Sequence, residues 1–190
     1  MDIHEINDIE IKGVDFSEQS IDQARIENCV FVNCSFFNTK ITNSKLDSVN
    51  FISCNLGNTD FSNSKLLDIR FCECKIVGLN LYKCNQKTFD LIFEESKLDY
   101  VNFTDANMKR NKFTDCEITE SYFQNTFLPE AEFTNCTFTR TFFTKCDLTK
   151  ASFKYSEGYS IDSRDCKIKN AIFTMPGVLG LLDLFEIKIE

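Results

Sequence analysis

The amino-acid sequence predicts an all-β solenoid of stacked five-residue repeats, on three observations. A large apolar residue recurs at every fifth position, and the residue two places before it is small. The chain of 190 residues also carries 20 Phe and 10 Cys but only 6 Gly and 2 Pro. A five-residue period matches neither the turn of a helix nor the alternation of an ordinary strand. So few turn-formers argue against a hairpin-rich sheet protein, which needs Gly and Pro at its corners.

The first run of central positions goes from Phe16 through Phe31, Phe36, Phe51, Phe61 and Phe71 to Leu81. The second, displaced by two residues, goes from Phe93 through Phe103, Phe113, Phe123, Phe133, Phe143 and Phe153 to Phe173. Gln86, Gly158 and Ser163 fall on central positions and break the pattern. The small position holds Ala24, Cys29, Cys34, Ser44, Cys54, Ser64 and their successors, including every Cys except Cys72. Cys in this phase reads as a small buried hydrophobe. Disulfide pairing, the competing reading, does not require the phase, and a cytosolic chain keeps its thiols reduced.

This pattern resembles the pentapeptide-repeat family, whose consensus is Ala-(Asp/Asn)-Leu-X-X, over residues 14–174. The resemblance implies a right-handed quadrilateral parallel β-helix, with four repeats to a coil and the central and small residues facing inward. One repeat cannot bury its own Phe, but stacked coils can. Phe31, Phe51, Phe71, Phe113, Phe123, Phe133, Phe143 and Phe153 are the expected core-stacking residues. Coils about 4.8 Å apart make a rod of about 35 Å. Residues 20 apart should then stack: Asn38 over Asn58, Asn43 over Asn63, and Arg25, Lys45 and Lys65 in a column whose repulsion Glu27 and Asp47 offset.

The chain divides into an N-terminal cap (1–13), a first repeat run (14–85), an insertion (86–92), a second run (93–174) and a C-terminal cap (175–190). The spacing from Leu81 to Phe93 is twelve where ten is expected, so two residues are inserted. Gln86, Lys87 and Phe89 are candidate recognition residues on that loop; a harmless bulge is the alternative. Gly158 and Ser163 remove two core side chains, leaving a gap for Tyr155 or Tyr159. Met175–Phe185 reads as a short capping helix with Pro176 in its first turn, and 186–190 alternates as a strand. Val178, Leu179, Leu182 and Phe185 cover the open end of the coil or form a homodimer surface.

The formal net charge of −8 disfavours direct nucleic-acid binding, which draws its affinity from cations on phosphates. No stretch is long and apolar enough for a membrane span. The N-terminus lacks the basic and apolar regions of a signal peptide, so a cytoplasmic location is expected. Glu95, Asp99, Asp115, Glu117, Glu120 and Glu157 gather along one edge when faces are counted; Lys109, Arg110, Lys150, Lys167 and Lys169 gather opposite. His4, the only histidine, is terminal and a poor catalytic base. Cys72-Glu73-Cys74 has the wrong spacing for zinc, and no phosphate-binding loop or nucleophile elbow occurs. The expectation is a non-enzymatic, cofactor-free protein that binds a macromolecule. Resemblance to the quinolone-resistance and microcin-immunity members of the family implies a DNA-mimicking dimer that binds DNA gyrase or another topoisomerase and protects it from inhibitors. A generic scaffold for another protein is the alternative. Threonine columns such as Thr114–Thr134 and Thr119–Thr139 are ended by Lys154 and Tyr159, which argues against ice binding.

Overall fold

Most repeats make one short strand and one corner, and the others a single bridge and a turn. In Arg25–Glu27 the central Ile26 is buried between two outward residues, and the same triplet recurs in Lys40–Thr42, Lys97–Asp99 and Glu132–Thr134. The residue two past the centre turns the corner in the left-handed conformation. At 27 positions that residue is not glycine, and at nine of those it is Asn, the residue that tolerates this region best after glycine. Its N–H is satisfied by the next turn, as Asn28 donates to the Asp47 carbonyl at 2.9 Å. Inter-turn hydrogen bonds therefore hold corners that would otherwise call for the glycines this chain lacks.

The computed structural model describes residues 2–85, 87–185 and 187–188 and shows a parallel β-solenoid of about eight turns. Partners lie 20 residues apart, as in Ile26↔Leu46, Leu46↔Leu66 and Phe113↔Phe133, so four repeats make a turn. One eleven-stranded sheet is the largest, because Lys45–Ile52 and Lys65–Cys72 run unbroken through a corner and join two ladders. A five-stranded sheet and separate three- and two-stranded ladders make up the rest of the coil. Ile6 and Ile11 already hold central places in paired strands, so the coil begins inside the segment expected to be an N-terminal cap.

The axis is filled by rings. Phe31, Phe51, Phe71, Phe93, Phe113, Phe133, Phe153 and Phe173 form one continuous stack with centroid spacings of 5.4, 5.3, 5.1, 4.9, 4.7, 4.8 and 5.4 Å. Phe103, Phe123 and Phe143 stack at 4.4 and 4.5 Å on another side and meet the first column edge-on, as at Phe123–Phe133. Offset stacks and edge contacts are the favourable ring geometries.

The small position is also a hydrogen-bonding position. Ser44 Oγ accepts from the Ala24 N–H at 2.8 Å and donates to the Thr42 carbonyl at 2.7 Å; Ser64 Oγ accepts from Ser44 N–H at 2.9 Å. Buried Thr39 and Thr59 donate to the Phe16 and Phe36 carbonyls at 2.8 and 2.9 Å. Ser, Thr and Cys thus recur because they satisfy buried backbone groups, beyond being small.

The phase slip is distributed unevenly. Register passes from 20 to 22 at Phe71↔Phe93 and Ile76↔Leu98. Phe89 enters the core in place of the central residue expected at 86, with Thr88 bridging Asn107 and the Phe89 N–H bonded to the Asn107 carbonyl. Leu81 to Phe89 is therefore long and Phe89 to Phe93 short.

At the far end the register shortens to 18 at Phe143↔Ile161. Ile161 takes the place expected for Ser163, and buried Tyr159 fills the volume left at Gly158, against Phe138 and Phe153. Tyr155 stays exposed. The expected capping helix is instead two short 3-10 turns, Gly177–Leu181 and Asp183–Phe185. Two glycines within five residues weaken any helix, and here both are needed for contact. A Cβ on Gly177 would collide with the Ser156 carbonyl, and one on Gly180 with the Tyr159 carbonyl. Ile187 and Lys188 belong to no strand, and the rest of the expected terminal strand lies outside the described residues.

Candidate functional site

Because the interior is filled, the side chains available for recognition are the outward ones at each corner and strand. Glu73, Glu95 and Asp115 follow Phe71, Phe93 and Phe113 in register and occupy one corner column, each in the left-handed conformation. Asp99, Glu117 and Glu120 belong to the neighbouring side; Glu157 pairs with Thr137 one turn beyond Glu117. The six expected residues thus spread over a corner and the side next to it, and their charge is interrupted. Lys97 Nζ lies 2.9 Å from Glu117, and Arg140 pairs with Glu120. The Tyr100 hydroxyl also bonds Glu120, which pushes the phenol pKa up. Asp115 accepts from the Asn135 amide. Both ion pairs join residues 20 apart, a spacing that was available in the sequence and would have found them.

The basic cluster is divided likewise. Arg110 Nε pairs with Glu130 at 3.0 Å and Lys167 Nζ with Asp147 at 3.4 Å. In the first run, Arg25, Lys45 and Lys65 stand in register. Glu27 receives Arg25 at 3.0 Å and Lys45 at 2.9 Å, and Asp47 receives Lys45 at 2.8 Å. Asn58 Nδ2 donates to Asn38 Oδ1 at 3.1 Å. A column of like positive charge is thus offset by an acidic column beside it, and elsewhere amides ladder from turn to turn.

Of the three loop residues, Lys87 is exposed, Gln86 lies outside the described residues, and Phe89 is a core residue, 3% exposed. Phe89 is thereby removed from the recognition candidates: the apolar interior claims the only large ring the insertion offers. The insertion instead opens a cleft of about 490 Å³ beside Tyr82, floored by Leu81, Phe89 and Ala106.

In the C-terminal cap, Val178, Leu179 and Leu182 are half-buried and Phe185 is exposed, with the Arg164 guanidinium 5.9 Å from its ring. Arg164 is held by Asp162 through two bonds of 2.8 Å, which draws the Asp162 pKa down to about 2.

The cysteines are all free, with Cys72 and Cys84 half-buried and the others buried. Burial pushes the Cys84 thiol up to about 12. The Cys74, Cys116 and Cys166 thiols are pushed upward by hydrogen bonds with Cys54, Cys136 and Cys146 and by burial. Protonated thiols of this kind are poor nucleophiles. Among the described residues no His, Cys, Asp and Glu group has a metal-binding arrangement, and no helix is long and apolar enough to cross a membrane. His4 is exposed and bonds Asp2.

A family model described as a pentapeptide repeat region matches residues 5–81 and 86–162. No curated protein matches the sequence. Among solved structures the chain is similar to HetL, a pentapeptide repeat protein involved in heterocyst differentiation regulation from the cyanobacterium Nostoc sp. strain PCC 7120. Identity is 13%, coverage 90% of this chain and 85% of that one, and the TM-score 0.56. It is also similar to full-length QnrB1, a plasmid-mediated fluoroquinolone resistance protein, at 16% identity, 94% and 100% coverage and a TM-score of 0.54. At such identities the likeness is one of fold.

Proposed function

The chain belongs to the pentapeptide-repeat family, and from that premise we propose that it is a non-catalytic, cytoplasmic, right-handed four-sided rod whose outer faces bind another protein. One observation carries this reading: the uninterrupted stack from Phe31 to Phe173 occupies the axis. Variation from repeat to repeat is therefore confined to outward side chains on a rigid frame, an arrangement suited to displaying a surface. The half-buried Val178, Leu179 and Leu182, together with exposed Leu184 and Phe185, form an end surface suited to pairing with a second copy.

A finer form of the proposal has DNA gyrase as the partner, with the rod imitating DNA. The Glu73, Glu95 and Asp115 column supports it, since like charges repeat there from turn to turn. The Lys97–Glu117 and Arg140–Glu120 pairs count against it, because they neutralise the adjoining side. A gyrase supercoiling assay with and without a fluoroquinolone separates the two forms. Inhibition, or relief of drug-stabilised cleavage, supports gyrase binding. No effect of the folded protein over a wide concentration range removes gyrase and leaves the scaffold reading in place.

A further inference from the structure

Between Asn80 and Thr144 one side of the solenoid carries rings, where its own earlier turns carry Asp22, Lys40 and Asp60. Asn80, Asn102, Tyr122 and Phe142 pair turn to turn and form one outward column. Two residues further along each turn stand Tyr82, Thr104, Gln124 and Thr144. Tyr100 occupies the corner beside them. Tyr82, Tyr100, Tyr122 and Phe142 are 66, 54, 52 and 48% exposed. Single exposed aromatics are ordinary; four on one side, set among amides and hydroxyls, are the composition of an interface core, rich in Tyr and Phe and poor in charge.

The same side borders the cleft that the insertion opens. Tyr82, Asn85 and Thr104 line it together with Lys87 and Asp105, whose charges are opposite in sign, over the buried Leu81, Phe89 and Ala106, and the Cys84 thiol on its wall is neutral. A volume of about 490 Å³ exceeds one large side chain and is open to solvent. Binding energy in protein interfaces concentrates where a side chain from one partner fills a pocket on the other beside aromatic neighbours. The phase slip therefore supplies the socket, and the next two turns supply the platform.

We propose that this aromatic side, and not the acidic corner, is the docking surface, and that its occupant is a protein segment presenting an apolar anchor side chain among uncharged polar neighbours. The match in charge argues for that chemistry: on a chain of net charge −8, the two central columns of this side from Asn80 to Thr144 contain no ionisable group other than the phenols. The inference rests on the scaffold reading and names its surface.

Panning a random peptide library against the intact protein tests it. Enriched peptides are expected to carry an apolar residue and little charge, and to bind with weak salt dependence. They should lose about tenfold or more in affinity on Tyr122→Ser with Phe142→Ser, or on Thr104→Trp, which obstructs the cleft mouth. Glu95→Gln with Asp115→Asn should leave binding unchanged. Thermal melting of each variant confirms that these exposed changes keep the fold. Peptides that are basic, salt-sensitive and lost on Glu95→Gln with Asp115→Asn overturn the proposal while sparing the scaffold reading. An absence of enriched peptides counts against both.

Discussion

The Asn111 side chain donates from Nδ2 to the Phe89 carbonyl at 2.8 Å, and its Oδ1 accepts from the Leu91 N–H. Asn111 is buried in the small position, in a column whose later members are Ala131 and Ala151. It makes the two bonds that Ser and Thr make in other small positions, from the N–H 20 residues earlier and to a core carbonyl, but here across the segment that the slip shortens. Asn111→Ala fits the space but strands one buried carbonyl and one buried N–H, so it should destabilise by about 2–4 kcal/mol. Ala131→Gly, which strands nothing, should cost about 1 kcal/mol. Urea unfolding followed by circular dichroism measures both; equal losses would mean that Asn111 is not a clamp.

Phe133 lies 4.7 Å from Phe113 and 4.8 Å from Phe153 in the axial stack, and touches Phe123, Phe138 and Phe143 edge-on. Phe133→Ala should cost about 3–5 kcal/mol, while exposed Lys145→Ala should stay within about 0.5 kcal/mol. The same unfolding measurement decides, and similar losses for the two would refute the inward assignment.

The Phe column was legible from sequence because its five-residue phase repeats through the whole chain. The net two-residue slip was legible too, but its division was not. Phe89 takes the core place, and Asn111, one turn later, bonds the shortened segment after it; no local pattern records that. The apolar spacing of Val178, Leu179 and Leu182 fits a helix; the carbonyls that Gly177 and Gly180 approach become neighbours only in the folded coil. Thr39, Thr59, Thr126 and Thr141 were overlooked because size alone did not single them out, although each stands in a small position. Counting proposed the acidic edge without its partners, although Lys97 and Arg140 stand one 20-residue turn from Glu117 and Glu120 and could have been read as their neutralising pairs.

The thiols offer a direct check on the interior. Cys72 faces outward and Cys84 is half-buried with its pKa near 12, while the remaining eight are buried. Ellman's reagent at about pH 8 reacts with thiolates; burial and the Glu73, Glu94 and Glu95 carboxylates push the Cys72 thiol up, so the native protein should show one equivalent from Cys72, rapid only in comparison with a slow second from Cys84. Denaturant should release all ten. Cys72→Ser should abolish the rapid phase alone. Several rapid equivalents in the native protein would show that the small positions are not closed to solvent.

Acid should weaken the surface ladders, with a sign that follows from the carboxylates. Hydrogen bonds from Arg25 and Lys45 hold the Glu27 pKa below its ordinary value, Arg110 does the same to Glu130, and Arg164 draws Asp162 to about 2. A carboxylate whose folded pKa is depressed contributes stability above its unfolded pKa and loses it as pH falls through the folded one. The unfolded values are about 4.3 for Glu and 3.9 for Asp, so the loss begins near there and continues toward about 2. The melting temperature should be nearly flat from about pH 8 to 6 and fall below about pH 4, with salt reducing the fall because these pairs are exposed. Glu27→Gln removes one such carboxylate and should make the fall shallower. A melting temperature that rises on acidification would show that repulsion among the 29 acidic side chains outweighs the paired ladders. The Arg25–Glu27–Lys45–Asp47 column would then be arranged for solubility and not for strength.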